Sequence, residues 1–187
     1  MQRRQFLSAL SLLTLPMQLL AAKRRVTPAD AEGPFYPVKA IPLRSHLFKD
    51  SQALKETMLL NGQVLDKTGK PLVGAKIEIW QCDKNGLYDH PSQHDTESFD
   101  SSFSGFGAQL TNEQGYYNFT TLYPAPYTGR PPHIHVKIWE KNNELLTTQL
   151  YLKGNTGGWF SSRRESLQIN PKKDTNGKMT AKYTFVV

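Results

Sequence analysis

The sequence predicts an all-β protein: an antiparallel β-sandwich with long loops and an N-terminal arm. Two observations carry that prediction. Seven short apolar runs have the two-residue period of a strand, and Gly, Asn and Asp clusters punctuate them as turns. No repeat, low-complexity tract or second domain interrupts the series. At 187 residues, with 38% hydrophobic and 11% aromatic content, the chain suits one domain with a sizeable core.

Residues 1–22 read as an export signal. Arg3-Arg4-Gln5-Phe6-Leu7 leads into an apolar stretch, residues 7–20, that Pro16 interrupts and Ala21-Ala22 follows. The paired arginines resemble the twin-arginine signal, which exports folded proteins, often with their cofactor loaded. The alternatives are an amphipathic N-terminal helix or an uncleaved anchor, for which about 14 apolar residues are short against the roughly 20 of a span. The expected location is the bacterial periplasm, with no stable membrane span once the signal is removed. Residues 23–58 form the expected arm, rich in proline and centred on Glu32-Gly33-Pro34-Phe35-Tyr36-Pro37.

Residues 59–187 hold the sandwich, with strands expected at 60–65, 75–80, 107–110, 116–121, 133–139, 145–152 and 182–187. Ala75, Ile77 and Ile79 alternate with Lys76, Glu78 and Trp80, which predicts a half-buried strand. Turns are expected at Asn85-Gly86, at Asn112-Glu113-Gln114-Gly115 and at Lys141-Asn142-Asn143. Residues 91–105 make a long Ser- and Asp-rich loop, of the kind that often carries function.

Composition narrows the function classes. The net charge of +7 falls to +5 once the two arginines of residues 1–22 are removed. The basic clusters Lys23-Arg24-Arg25, Arg163-Arg164 and Lys172-Lys173 are scattered and lack the interleaved aromatics of a nucleic-acid track. A nucleic-acid partner is therefore not expected; the charge at most favours small anions. Cys82 is the only cysteine, so no disulfide forms within the chain, and it reads as a small packing residue beside Trp80.

The chemistry-bearing group is His133-Ile134-His135, just after Pro131-Pro132. Side chains two apart on a strand point to one face, so both imidazoles can reach a single ion. Tyr127 lies six residues upstream of His133, and Tyr88 farther back. Alone, His-x-His is equally compatible with solvated or core histidines. Two hard phenolate oxygens beside it favour ferric iron over zinc, whose protein ligands are usually Cys, His and carboxylate.

Several motifs in register resemble the intradiol ring-cleavage dioxygenases, the protocatechuate 3,4-dioxygenase and catechol 1,2-dioxygenase family. They are Glu32-Gly33-Pro34-Phe35-Tyr36, Gly86-Leu87-Tyr88, Thr121-Leu122-Tyr123-Pro124-Ala125-Pro126-Tyr127, Arg130-Pro131-Pro132-His133-Ile134-His135 and Gln149-Leu150-Tyr151. The resemblance spans about residues 27–151 and implies a non-haem iron(III) (Fe3+). Tyr88 and His135 look like its equatorial ligands, Tyr127 and His133 like its axial ones. It further implies that both atoms of O2 enter a catechol-type ring, opening it between the hydroxyl-bearing carbons to a cis,cis-muconate-type diacid. Tyr127 would take up a proton as substrate binds, Arg130 would steady developing ring charge, and Gln149 would orient Arg130. Gly33 and Pro34 would line the substrate cavity. The partners implied are a small catechol and O2; a homo-oligomer is left open. Only two residues separate Tyr127 from Arg130, where the protocatechuate and catechol enzymes carry a longer loop, so the chain resembles a short exported member.

Two other readings compete. A zinc hydrolase would use His133, His135 and either His90 or His94, leaving both tyrosines idle. A non-enzymatic module would share only architecture with transthyretin-like sandwiches, which residues 62–88 resemble.

Overall fold

The computed structural model describes residues 24–49, 57–127, 129–153 and 162–187. The expected export signal lies outside the described residues. No helix among the described residues is long and apolar enough to cross a membrane.

The strands are β1 (Thr57–Leu65), β2 (Lys76–Trp80), β3 (Phe106–Leu110), β4 (Tyr116–Leu122), β5 (His133–Glu140), β6 (Asn143–Leu152), β7 (Gln168–Ile169), β8 (Lys172–Lys173) and β9 (Met179–Val186). The four-residue helix α1 (Ser162–Glu165) precedes β7. Seven of the strands fall where the apolar runs are; the two-residue strands β7 and β8 are too short to leave a periodic signal.

One sheet has the order β4-β1-β9-β8 and the other the order β3-β2-β5-β6-β7. Most pairings are antiparallel, but β1 runs parallel to β9, and β6 parallel to β7. The sandwich is therefore mixed. Parallel neighbours need a long connection, and between β1 and β9 that connection is the rest of the domain.

The core lies between the sheets. Ile77, Ile79, Ile134, Val136, Ile138 and Leu150 line one side, and Met58, Leu60, Val64, Phe119 and Phe185 the other, all fully buried. Each sheet thus contributes alternate residues, as a two-layer core requires.

The second face of the five-stranded sheet is also covered, and this departs from the half-buried strand expected for β2. Glu78 and Trp80 are 2% and 1% exposed. Their cover is the arm. It first runs along β6, where the Asp30 amide donates to Thr147 O (3.0 Å) and Gln149 Nε2 donates to Ala31 O (2.6 Å). It then crosses the outer face and reaches the far edge. There Ala108 N donates to Pro42 O and Arg44 N to Ala108 O, while Leu47 N donates to Thr120 O and Thr120 N to Ser45 O. Residues 42–47 thereby occupy the open edges of β3 and β4, edges that would otherwise invite pairing with another chain.

Candidate metal centre

The covered outer face is built by register. Trp80, His135 and Gln149 stand opposite one another across β2, β5 and β6, and His133 stands opposite Tyr151. Period-two alternation sends this row away from the aliphatic core, so the strand that supplies Ile134 and Val136 inward supplies both histidines outward.

Two loops bring the tyrosines over that row. Tyr88 ends a loop wrapped around Asp83, which is fully buried. The Asp83 carboxylate accepts from the backbone amides of Asn85 (2.8 Å), Leu87 (3.0 Å) and Asp100 (2.7 Å). Tyr127 and Arg130 close a tight turn: Arg130 N donates to Tyr127 O (2.7 Å) and Tyr127 N to Arg130 O (3.3 Å). The two loops meet at Gly86. A Cβ there would sit 3.1 Å from Tyr127 Cβ, and its φ of +80° suits glycine.

Four donor atoms converge. His135 Nε2 is 3.2 Å from Tyr88 Oη, Tyr88 Oη is 3.4 Å from Tyr127 Oη, and Tyr127 Oη is 3.4 Å from His133 Nε2. The two imidazole rings are 4.8 Å apart, centre to centre. Donors about 2.0–2.2 Å from one small cation lie roughly 2.8–3.8 Å apart when they subtend about 90–120° at it. The observed spacings fall in that range, so the donor set fits a single ion.

The surroundings hold each donor in place. His133 donates from Nδ1 to Pro131 O (2.7 Å), which leaves the Nε2 lone pair facing Tyr127. The His135 ring lies flat against Trp80, at 4.8 Å and 10°. Its Nδ1 is buried without a hydrogen-bond partner. Phe35 stacks on Tyr88 at 4.5 Å and 20°. Gly33, with φ +78°, approaches the edge of the His135 ring: a Cβ there would lie 3.1 Å from His135 Cε1.

Burial sets the protonation states. It pushes the Tyr88 phenol well above the ordinary value and the Tyr127 phenol upward as well, with the Arg130 charge opposing both. Burial likewise lowers His133 to about 4 and His135 well below the usual imidazole range. Both imidazoles are thus neutral, the form that ligates metal. Nearby positive charge is what would reverse the phenols, since a bound cation inverts the local preference.

Arg130 donates from Nη2 to Gln149 Oε1 (2.6 Å), the contact expected of an orienting amide. Gln149 in turn accepts from Tyr151 Oη (3.0 Å), which also reaches Asp30 (2.9 Å), and Asp30 pairs with Arg164 (3.0 Å). The arm and α1 are therefore tied into the same network.

An open cavity of about 600 Å³ adjoins Tyr127, lined among others by Phe35, Leu87, Gln93, His94 and Pro126. Pro34 is exposed and does not line it. Gly33 and Pro34 are the residues that the family resemblance places at the cavity. In the structure Phe35 takes the wall and Gly33 takes the contact with His135. His90 is buried edge-on to Phe35 at 5.7 Å, and its Nδ1 accepts from Ser92 N (3.1 Å); His94 sits exposed at the cavity. Among the described residues no three His, Cys, Asp or Glu side chains are placed to hold a metal, so the three-histidine zinc reading has no geometry behind it. Cys82 packs with Trp80 and Tyr88, its thiol pushed up by burial to about 12.

A family model described as a dioxygenase matches residues 31–186. The chain belongs to the intradiol dioxygenase family. It is 34% identical over 121 residues to the protocatechuate 3,4-dioxygenase beta chain of Burkholderia cepacia, covering 60% of this chain and 51% of that one. It is 32% identical over 151 residues to a catechol 1,2-dioxygenase from a Pseudomonas species, covering 68% and 47%. The chain thus spans about half the length of these curated relatives. Among solved structures, the dioxygenase domain of a dioxygenase and carbohydrate-binding fusion from Streptomyces sp. SirexAA-E superposes with a TM-score of 0.71 at 29% identity, covering 87% of this chain and 98% of that one.

Trp80, Asp83 and Phe35 belong to the site although no pattern in the sequence assigns them a place there. Trp80 has the parity of His135's neighbour, but parity alone does not say which strands pair. Asp83 two residues before Asn85-Gly86 is a turn signal, and it could have pointed to a loop held by a carboxylate.

Proposed function

We propose that this intradiol dioxygenase binds one ferric ion through Tyr88, Tyr127, His133 and His135 and opens a catechol-type ring between its hydroxyl-bearing carbons. The observation that carries the reading is the unbroken chain of donor contacts, 3.2 to 3.4 Å, that links two phenols and two imidazoles over the outer face of the five-stranded sheet. Bound ferric iron would supply the positive charge that ionises the phenols and the electron-accepting partner through which catechol becomes reactive toward O2.

The chain's own residues divide the remaining labour. Tyr88 is 2% exposed and stacked beneath Phe35, so it is the fixed phenol. Tyr127 is half-buried and lines the cavity, so it is the phenol within reach of an incoming hydroxyl and the base for its proton. Arg130, always cationic and steered by Gln149, stands at the same turn to stabilise negative charge that develops on the ring. The arm and Phe35 exclude water from the His135 side. Export to the periplasm through residues 1–22 fits a protein that folds around its metal before transport.

The test is to load the full chain with iron and measure O2 uptake with catechols alongside ring-opened product. Tyr127→Phe is expected to lower kcat by about 100-fold or more, and His135→Ala to abolish iron retention. Unchanged turnover in either variant would overturn the assignment.

A further inference from the structure

One cross-strand pair next to the metal row plays no part in the chemistry above. Glu78 on β2 faces Lys137 on β5, one step along from Trp80 and His135. Both are buried, with side chains 3% and 6% exposed. A buried ammonium is costly unless it is paired. The described partners of this one are the Glu32 carboxylate, the Glu144 carboxylate at 3.4 Å, and the ring faces of Tyr36 (4.1 Å) and Trp139 (5.4 Å). Glu78 accepts from Tyr36 Oη (2.9 Å) and Trp139 Nε1 (2.8 Å) and pairs with Lys76 (2.8 Å).

Glu32 and Tyr36 thus flank a short stretch of arm, and both are fastened to the same pair of sheet residues. Between them lie Gly33, at the edge of the His135 ring, and Phe35, stacked on Tyr88 and lining the cavity. We propose that Glu78 and Lys137 form an anchor that positions residues 32–36 as the roof of the metal centre, making them positioning residues that govern substrate binding through Gly33 and Phe35. Neither touches a donor atom of the centre. Their influence passes through the arm.

The kinetic half of the test rests on the proposed ring-cleaving activity; the other half does not. Glu32→Gln, at a side chain 44% exposed, removes the pairing charge with little risk to folding, and Lys137→Met keeps the length of the buried stem. In the full-length protein, hydrogen exchange is expected to speed up by about fivefold in the peptide spanning residues 30–36 for either variant, while β5 and β6 stay protected. In the iron-loaded enzyme KM for catechol is expected to rise by a similar factor, with kcat nearly constant. Glu32→Gln is expected to add little on top of Lys137→Met, because the two act through one contact. Unchanged exchange at residues 30–36, or an equal rise in β5 and β6, would overturn the anchor. So would a fall in kcat with KM unmoved, or additive effects in the double variant. If no catechol is cleaved, the dioxygenase reading fails and the exchange result alone still decides this one.

Discussion

At the scale of single residues, the centre is a set of groups whose ordinary charge preferences have been suppressed by burial. His133 is held to about 4, so the unfolded chain binds a proton that the folded metal-free chain refuses between pH 6.5 and 4. Stability then rises with pH across that window and is lost as pH falls through it. His133 alone accounts for up to about 3 kcal/mol, and His135, lowered further, acts in the same direction. Urea midpoints of the metal-free protein at pH 7 and pH 4.5 check this; a midpoint unchanged or higher at pH 4.5 would contradict it. Gly33→Ala places a Cβ 3.1 Å from His135 Cε1 and forces alanine to a φ of +78°. A loss of about 1–2 kcal/mol is expected, together with weaker iron retention, read by thermal unfolding and metal analysis. That Tyr88, Tyr127, His133 and His135 would meet, with Arg130 and Gln149 in contact beside them, was legible in the sequence because each sits in a motif with its own order. Phe35 was not assigned there, because only the arm's path shows which of its residues faces the cavity.

At the scale of elements, strands were legible and their faces less so. Alternation in β2 marked Ile77 and Ile79 as inward, and it could not show that Glu78 and Trp80 would be buried too, since their cover comes from residues 32–36 far back in the chain. The loop before Tyr88 makes the same point. Its order depends on Asp83, one carboxylate serving three backbone amides. Asp83→Asn keeps the shape but loses the charge and places an amide donor against donors. The expected cost is about 2–3 kcal/mol, with Tyr88 displaced and iron retention reduced. Wild-type stability in that variant would show that the loop is held by other contacts.

Across the whole molecule, the mixed sandwich serves as a rigid back wall and the arm as its front. The parallel pairing of β1 with β9 joins the first and last strands, a closure that period-two patterns cannot reveal because they carry no strand direction. Residues 42–47 then bind the edges of both sheets, with Leu47 fully buried in the core. Leu47→Ala is expected to cost about 2–5 kcal/mol, measured by chemical denaturation; a change below about 0.5 kcal/mol would mean that this segment is ornamental to the core. The proposed centre is two phenols and two imidazoles sharing one ferric ion. The most direct measurement is the visible spectrum and iron content of the metal-loaded chain beside Tyr88→Phe, Tyr127→Phe and the double variant. One iron per chain is expected, with a tyrosinate-to-iron absorption band that weakens in each single variant and vanishes in the double. A colourless wild-type protein, or a band that survives loss of both tyrosines, would contradict it.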